Sequence, residues 1–225
     1  MRLLLAAFVA FTAHAQVSSF ELRSLPSLGN ARALLIAGDR ARNTFILSAS
    51  KPLTGTGRLR LTKLDPKGTQ VAFYEFGDAV TDIPYAVTTD SDGNFVIVGG
   101  TKSKSFPIVS PLPGVASVNS PYIFTMAFIS IVDASLTKLV FSATLAGTEP
   151  GPLCGIFTNT VATAVAAMPD GKITVVGTTC AKDFPVTQNA FQKSGPGYDL
   201  FYTALSYAFV TTILPSAPSI LYSTY

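Results

Sequence analysis

The chain has 225 residues, of which 48% are hydrophobic and 13% are charged, and its net charge is +3. This much apolar sequence can bury a core, so the composition excludes an intrinsically disordered protein. The small positive charge is too small to imply nucleic acid as a partner.

Residues 1–15 have the pattern of a secretory signal peptide. A single Arg precedes an apolar run over residues 3–11, and residues 13–15 (Ala-His-Ala) form a small-x-small cleavage site. The apolar run is too short to span a bilayer, so we expect a secreted or periplasmic protein without a transmembrane segment. Cleavage after Ala15 leaves 210 residues, with 15 basic and 13 acidic side chains.

The only histidine of the sequence, His14, lies within this predicted signal peptide. A mature chain without histidine has no Ser-His-Asp or Cys-His nucleophile, no imidazole zinc ligand and no histidine acid–base chemistry. The glycines also fail to form a phosphate-binding loop, and no G-x-S-x-G sequence occurs. We therefore expect no catalytic residue, no cofactor and no metal.

A segment that occurs twice, 78 positions apart, organises the mature chain. Residues 85–107 (YAVTTDSDGNFVIVGGTKSKSFP) and 163–185 (TAVAAMPDGKITVVGTTCAKDFP) both predict strand, Asp-Gly turn, strand and a loop closed by Phe-Pro. Residues 42–50 (RNTFILSAS) are a weaker third copy. Repetition at this scale predicts stacked copies of one supersecondary unit.

Three units of four strands follow from these copies: a degenerate unit at 31–80, a second at 81–147 and a third at 148–225, after a lead-in at 16–30. The predicted strands of the first unit cover 31–37, 43–50, 57–65 and 70–77. Those of the second unit cover 83–90, 94–101, 122–132 and 138–145. Those of the third unit cover 158–167, 172–179, 199–207 and 218–225. No 3.6-residue helical period is evident in the mature chain.

Many predicted strands are continuously apolar, as in Phe95-Val96-Ile97-Val98, rather than alternating. In a strand with one solvent-exposed face, apolar and polar residues alternate. These sheets are therefore predicted to be covered on both faces. We therefore predict an all-β, propeller-type array of about three four-stranded antiparallel blades, incomplete or open because propellers typically have four to eight. A single β-sandwich is the alternative.

Signature residues recur at corresponding places in the second and third units. They are Asp92, Gly93, Asn94, Phe106 and Pro107 in the second unit, and Asp170, Gly171, Asp183, Phe184, Pro185, Asp199, Phe201 and Tyr222 in the third. This pattern resembles the bacterial β-propeller repeats called SBBP repeats. The resemblance implies a propeller fold in an exported bacterial protein and implies no particular activity.

The sequence departs from the family pattern at two places. The third unit carries an inserted stretch, Tyr207 to Ser216, and the sequence stops at Tyr225, where the family pattern continues with Leu-Gly-Gly. Three blades are too few to close a propeller. We expect a piece of a longer propeller, or alternatively self-association through the open blade edges.

Residues 90–94 (DSDGN) resemble the start of a calcium loop, because alternate carboxylates can wrap a hard cation. The corresponding residues 168–172 (MPDGK) lack the first Asp and carry a Lys. The Asp-Gly pair is retained in both copies, and Asp-Gly is a strong hairpin signal. We therefore interpret both segments as turns.

Cys154 and Cys180 are the only cysteines, and an exported protein can form a disulfide. In the predicted hairpin of the third unit, the residue opposite Cys180 is near position 159, so the loop with Cys154 lies at the same end. We predict a Cys154–Cys180 disulfide. A reactive thiol is the alternative, although no adjacent cation is evident to lower its pKa.

Two charged groups are the remaining candidate sites. Asp78 and Asp82 share a predicted loop and could form the carboxylate pair of a glycosidase, although nothing in the sequence sets their separation. A group of nine basic residues could bind anionic polysaccharide or envelope lipid, but we interpret it as a solvated face that protects edge strands. These residues are Arg23, Arg32, Arg40, Arg42, Lys51, Arg58, Arg60, Lys63 and Lys67.

The sequence thus predicts an exported, non-catalytic β-propeller repeat protein that acts as a scaffold or interaction surface. The partner, a protein or a glycan, is not specified by any motif. The alternative is a propeller enzyme or a binding module for envelope or extracellular polysaccharide.

Overall fold

A computed structural model of the chain describes residues 31–50, 57–115, 121, 123–151, 154, 158–195 and 206–225. These residues form twelve β-strands and no helix, which confirms the predicted all-β, propeller-type fold. None of these residues belongs to a helix that could span a membrane. The predicted signal peptide, the lead-in and two members of the basic group, Arg23 and Lys51, lie outside the described residues.

The strands form three antiparallel meanders of four strands, which we call blades 1, 2 and 3. Blade 1 consists of β1 (Ala31–Gly38), β2 (Thr44–Ser50), β3 (Leu59–Leu64) and β4 (Gln70–Phe76). Blade 2 consists of β5 (Asp82–Thr89), β6 (Phe95–Thr101), β7 (Ile123–Val132) and β8 (Leu139–Leu145). Blade 3 consists of β9 (Thr158–Ala167), β10 (Ile173–Thr179), β11 (Tyr207–Leu214) and β12 (Ser219–Thr224).

Blades 2 and 3 are joined into one eight-stranded sheet by a short parallel pairing. In this pairing Ile123 of β7 lies opposite Thr158 of β9, and Thr125 lies opposite Asn159. The first strands of successive blades are also neighbours, because β1 contacts β5 and β5 contacts β9. Sequential blades therefore meet at their first strands, as the blades of a propeller do.

The third strand of blade 3 is not where the sequence predicted it. The interval 199–207 was predicted as a strand and the stretch 207–216 as an insertion, but β11 occupies Tyr207–Leu214. Its buried residues alternate with exposed or half-buried ones, beginning with buried Tyr207 and Phe209, and this period of two is a strand signal. Asp199 and Phe201 lie outside the described residues.

Two hydrophobic cores separate the blades, and β6 contributes to both. Phe95 and Ile97 belong to the core between blades 1 and 2, whereas Val96 and Val98 belong to the core between blades 2 and 3. All the residues of β6 are buried. The continuous apolar run of this strand therefore has a direct cause: both of its faces are covered.

Each of blades 2 and 3 contains the same unit of a glycine and two phenylalanines. Gly99 on β6 lies opposite Phe128 on β7, whose ring is 4.9 Å from that of Phe106. Gly177 on β10 lies opposite Phe209 on β11, whose ring is 4.6 Å from that of Phe184. The glycine leaves room for the ring on the neighbouring strand, and the Phe of the Phe-Pro loop covers that ring, which explains why both features recur in the sequence repeat.

Replacement of Gly177 by Ala tests this packing. A Cβ atom at this position would lie 2.0 Å from the carbonyl oxygen of Val161 and 2.8 Å from the Phe209 ring. We expect Gly177→Ala to lower the free energy of unfolding by about 1–3 kcal/mol, the usual cost of overpacking. Denaturant unfolding measures the loss. Gly38→Ala is the matched control, because a Cβ atom at Gly38 would lie 3.6 Å from its nearest neighbour, the carbonyl oxygen of Asn43. An equal effect of both substitutions would contradict the account.

Candidate functional site

The first hairpin turns of the three blades meet at one end of the array and line an open cleft of about 390 Å³. These turns span residues 39–43, 90–94 and 168–172, and each is closed by a backbone hydrogen bond between its first and last residue. The fourth residue of each of two turns, Gly93 and Gly171, has a φ of +80°. A left-handed residue at this place defines a three-residue hairpin loop, so both Asp-Gly sequences are hairpin turns.

The carboxylate of Asp90 is fully used within its own turn. Oδ1 accepts hydrogen bonds from the Asp92 and Asn94 amides at 3.0 and 2.9 Å, and Oδ2 accepts one from Asn94 Nδ2 at 2.9 Å. Asp39 has the same arrangement with Asn43, at 2.8 and 2.7 Å. In the described part of the chain, no three His, Cys, Asp or Glu side chains are grouped as metal ligands. The geometry of residues 90–94 is thus that of an Asp-capped turn.

A second cleft, of about 350 Å³, lies between blades 1 and 2 where the chain passes from β4 to β5. It brings together Arg58, Asp78 and Asp82, three charged residues that the sequence singled out. Its polar lining includes Arg58, Tyr74, Glu75, Asp78 and Asp82.

Asp82 lies at the floor of this second cleft and is only 1% exposed. Its Oδ1 accepts hydrogen bonds from the hydroxyls of Thr101 at 2.6 Å and Thr81 at 3.3 Å, and its Oδ2 accepts one from the Asp78 amide at 2.7 Å. Burial raises the pKa of Asp82, although these hydrogen bonds oppose the shift. The Asp78 carboxylate accepts from the Val80 amide. Asp82 therefore fixes the linker between the blades instead of facing a substrate.

The linker between blades 2 and 3 is held in the same way, by the carboxylate of Asp183. Oδ2 of Asp183 accepts hydrogen bonds from the amide and hydroxyl of Thr148 at 2.9 and 2.8 Å, and Oδ1 accepts one from the Glu149 amide at 2.8 Å. The signature carboxylate of the Asp-Phe-Pro sequence is thus a structural clamp on the preceding linker.

A glycine makes room for the clamping carboxylate at each junction. A Cβ atom on Gly77 would lie 2.6 Å from Asp82 Oδ2, and one on Gly147 would lie 2.4 Å from Asp183 Oδ1. No local sequence pattern predicts these contacts, because they join distant segments. The sequence signal for a clamped linker is a glycine, Gly77 or Gly147, within two residues after the last strand of the blade.

Cys154 and Cys180 are bonded, with their Cα atoms 5.6 Å apart, which confirms the predicted disulfide. Residues near the bond also pair through the backbone: the Gly151 amide donates to the Cys180 carbonyl at 2.9 Å, and Pro150 forms a β-bridge with Ala181. The linker from β8 to β9 has 12 residues, against 5 from β4 to β5. The disulfide thus fastens the longer linker to the end of β10.

Several of the other signature and basic residues also have structural contacts. The Tyr222 hydroxyl accepts a hydrogen bond from the Phe191 amide at 3.2 Å, and Asp170 pairs with Lys172 at 2.6 Å, whose hydrogen bond lowers the pKa of Asp170. The Arg60 guanidinium lies 3.9 Å above the Phe73 ring, and Lys63 Nζ donates to the Ala134 carbonyl at 2.9 Å. The basic group is therefore partly engaged within blades 1 and 2.

Comparison with known proteins gives no family for the chain. No protein-family model matches it, and no curated protein matches it. Among solved structures, a variant of the apocarotenoid oxygenase from Synechocystis aligns with 79% of this chain and 34% of its own length, with 14% identity and a TM-score of 0.38. A second variant gives 16% identity and a TM-score of 0.37 over the same shares.

The chain thus spans about a third of the length of these oxygenases. At this level of similarity, the comparison carries no argument about fold or activity. The twelve described strands themselves define the class, which is an all-β protein of the propeller type with three four-stranded blades.

Removal of the disulfide tests its role at the blade 2–blade 3 junction. The bond closes a span of 26 residues, so we expect the double substitution Cys154→Ser and Cys180→Ser to lower the free energy of unfolding by about 3 kcal/mol. Denaturant unfolding of both forms without reductant measures the loss. Adding a reductant to the wild-type chain should reproduce it and leave the double variant unchanged. Equal stability of the two forms would contradict this role.

Proposed function

We propose that the chain is an exported, non-catalytic β-propeller repeat protein that acts as a scaffold or interaction surface. The observation that carries this proposal is the use of the carboxylates. Asp39, Asp90, Asp82 and Asp183 each accept hydrogen bonds on both oxygens from the turns and linkers around them. A carboxylate held in this way positions the backbone, and its acceptor lone pairs are engaged by groups of the protein.

Export and membership of the SBBP repeats belong to the same proposal. The pattern of residues 1–15 supports export, and a disulfide such as Cys154–Cys180 is typical of proteins outside the cytoplasm. The repeated structural roles of Phe106 and Phe184 support a repeat family in which the Phe-Pro sequence is a packing element.

A polysaccharide-binding module, or an enzyme acting on polysaccharide, is the second candidate, and the cleft between blades 1 and 2 favours it. Tyr74, Arg58 and Glu75 line that cleft and could contact sugar hydroxyls. Hydrolysis needs a carboxylic acid of raised pKa within reach of the glycosidic oxygen. Asp82 has the raised pKa but is buried beneath its hydrogen-bond donors. The cleft thus favours binding over hydrolysis.

One experiment tests the proposal. The full chain is expressed in a bacterial host, recovered outside the cytoplasm, analysed by mass spectrometry and assayed for release of reducing ends from envelope and extracellular polysaccharides. We expect a mature N-terminus at Gln16 and no release of reducing ends. Retention of the intact chain in the cytoplasm would contradict export.

Hydrolysis would contradict the non-catalytic role if it depended on the cleft. The decisive variant is Asp78→Asn, which keeps the linker backbone and removes one cleft charge. Asp170→Asn is the matched control, because Asp170 lies in an exposed turn at a distance from the cleft. Activity lost in Asp78→Asn and kept in Asp170→Asn, with unchanged unfolding of both, would establish the enzyme instead.

A further inference from the structure

The outer edges of blades 2 and 3 are covered by their own Phe-Pro loops. The Val109 amide donates to the Ser142 carbonyl on β8 at 3.0 Å, and the Thr187 amide donates to the Ser223 carbonyl on β12 at 3.0 Å. Both donors lie two residues after the proline of the Phe-Pro sequence. The loop of each blade therefore pairs with a main-chain acceptor that an edge strand would otherwise present to solvent.

Blade 1 has no such loop. Its strands β2 and β3 are separated by 8 residues, against 21 between β6 and β7 and 27 between β10 and β11, and these 8 residues contain no Phe-Pro sequence. Phe73 holds the place of Ser142 and Ser223, because each lies two residues after the residue that bulges from the last strand of its blade. In β4 the bulged residue is Val71. In the described part of the chain, no segment apart from β3 hydrogen-bonds to the backbone of β4.

The strand β4 therefore presents an unpaired main-chain edge. By its correspondence with Ser142, Phe73 directs its N–H and C=O groups away from β3, and the alternation of an antiparallel strand adds those of Glu75. No member of the basic group lies on β4 itself, so the strand lacks the charged side chains that protect many edges. A further blade would pack on a face of blade 1 and would leave this edge open.

The charge of the first unit indicates what this edge binds. Residues 31–80 contain eight basic and four acidic side chains, a net charge of +4, whereas residues 81–147 and 148–225 each contain three basic and four acidic ones. Lys67 lies in the turn before β4, and the Arg60 guanidinium lies 3.9 Å above the Phe73 ring. A second copy of the chain would bring an equally positive edge and be repelled, whereas an acidic strand would be attracted.

We infer that the outer edge of β4 binds an extended, acidic segment of a protein partner, which pairs with the strand through its backbone. This inference rests on the proposed role as an interaction surface and names the chemistry of the partner. The side chains of a docked strand alternate between two sides. Apolar residues on one side would contact Val71 and Phe73, which are 56% and 49% exposed, and the acidic residues would supply the complementary charge.

Fluorescence polarisation of the purified full chain with a labelled peptide of alternating valine and glutamate tests the inference. We expect this acidic probe to bind at least about tenfold more tightly than the same peptide with lysine in place of glutamate, and to lose affinity as salt is added. A probe that is N-methylated at alternate residues, and so lacks half of its donors, should also bind at least about tenfold more weakly. In hydrogen exchange, the acidic probe should protect the Phe73 and Glu75 amides.

Two substitutions of Phe73 separate the backbone from the side chain. Phe73→Pro removes the N–H group that points away from β3, whereas Phe73→Ala keeps it. We expect Phe73→Pro to weaken binding of the acidic probe about fivefold more than Phe73→Ala does, the effect of one main-chain hydrogen bond. An edge strand tolerates a proline whose nitrogen faces solvent, and denaturant unfolding of both variants checks that the fold is kept.

Substitutions of Val71 test the charge without changing the backbone. Val71→Glu should weaken binding of the acidic probe about threefold and Val71→Lys should strengthen it about threefold, the effect of one charge about 7 Å from another in water. Val140→Glu and Val140→Lys are the matched controls. Val140 is the bulged residue of β8 and is 39% exposed, but the edge of its blade is covered by the Phe-Pro loop. Both controls should bind the probe as the wild type does.

Several results would overturn the inference: no binding of the acidic probe at millimolar concentration, equal binding of the lysine probe, amide protection outside β4, or equal effects of the Val71 and Val140 substitutions. Self-association of the chain that Phe73→Pro abolishes would show that a second copy occupies the edge and would overturn it too. An exported, inactive chain that does not bind the probe would overturn this inference alone. Cleft-dependent hydrolysis with probe binding intact would overturn the proposed function alone.

Discussion

Burial of both faces of blade 2 is the constraint on which the rest of the structure depends. A sheet whose strands are apolar on both sides is stable only between two neighbours. The alternation of Phe95 and Ile97 with Val96 and Val98 along β6 supplies one core on each side. Blades 1 and 3 complete those cores, so the stacking of three blades follows from the pattern of the middle one.

The linkers set the position of each blade relative to the one before it. In this chain, a carboxylate binds the backbone of each of the two linkers. Asp82 at the start of β5 and Asp183 in the Phe-Pro loop lie at different positions of their blades, yet each binds the amide of a residue just after a linker glycine. The two junctions thus share the same carboxylate–amide contact, although the aspartate comes from a different position in each blade. The clamps also explain why prominent carboxylates in both junctions are structural.

Much of the fold is predictable because its signals are local. The Asp-Gly turns and the continuously apolar strands are read within ten residues of sequence, and the disulfide follows from the predicted hairpin that brings Cys180 near the loop of Cys154. The predicted position of β11 is wrong because Asp199 and Phe201 match the repeat motif, whereas the period of two that marks the strand begins at Tyr207.

The candidate site was less predictable, since its contacts are long-range. Asp183 and Thr148 are 35 residues apart, and no local pattern announces that a carboxylate will bind a linker amide. The Asp78 and Asp82 pair was identified from the sequence as a potential catalytic pair. Only the hydrogen bonds from Thr101 and the Asp78 amide show that Asp82 holds the backbone.

A double-mutant cycle between the blades tests the stacking most directly. Phe45 on β2 and Phe95 on β6 have ring centroids 5.2 Å apart across the blade 1–blade 2 core. Stability is measured for Phe45→Leu, Phe95→Leu and the double variant. If blades 1 and 2 pack on each other, we expect a coupling energy of about 0.5–1.5 kcal/mol between the two rings. Additive effects, with a coupling below about 0.3 kcal/mol, would mean that the two blades do not pack on each other and would contradict the account.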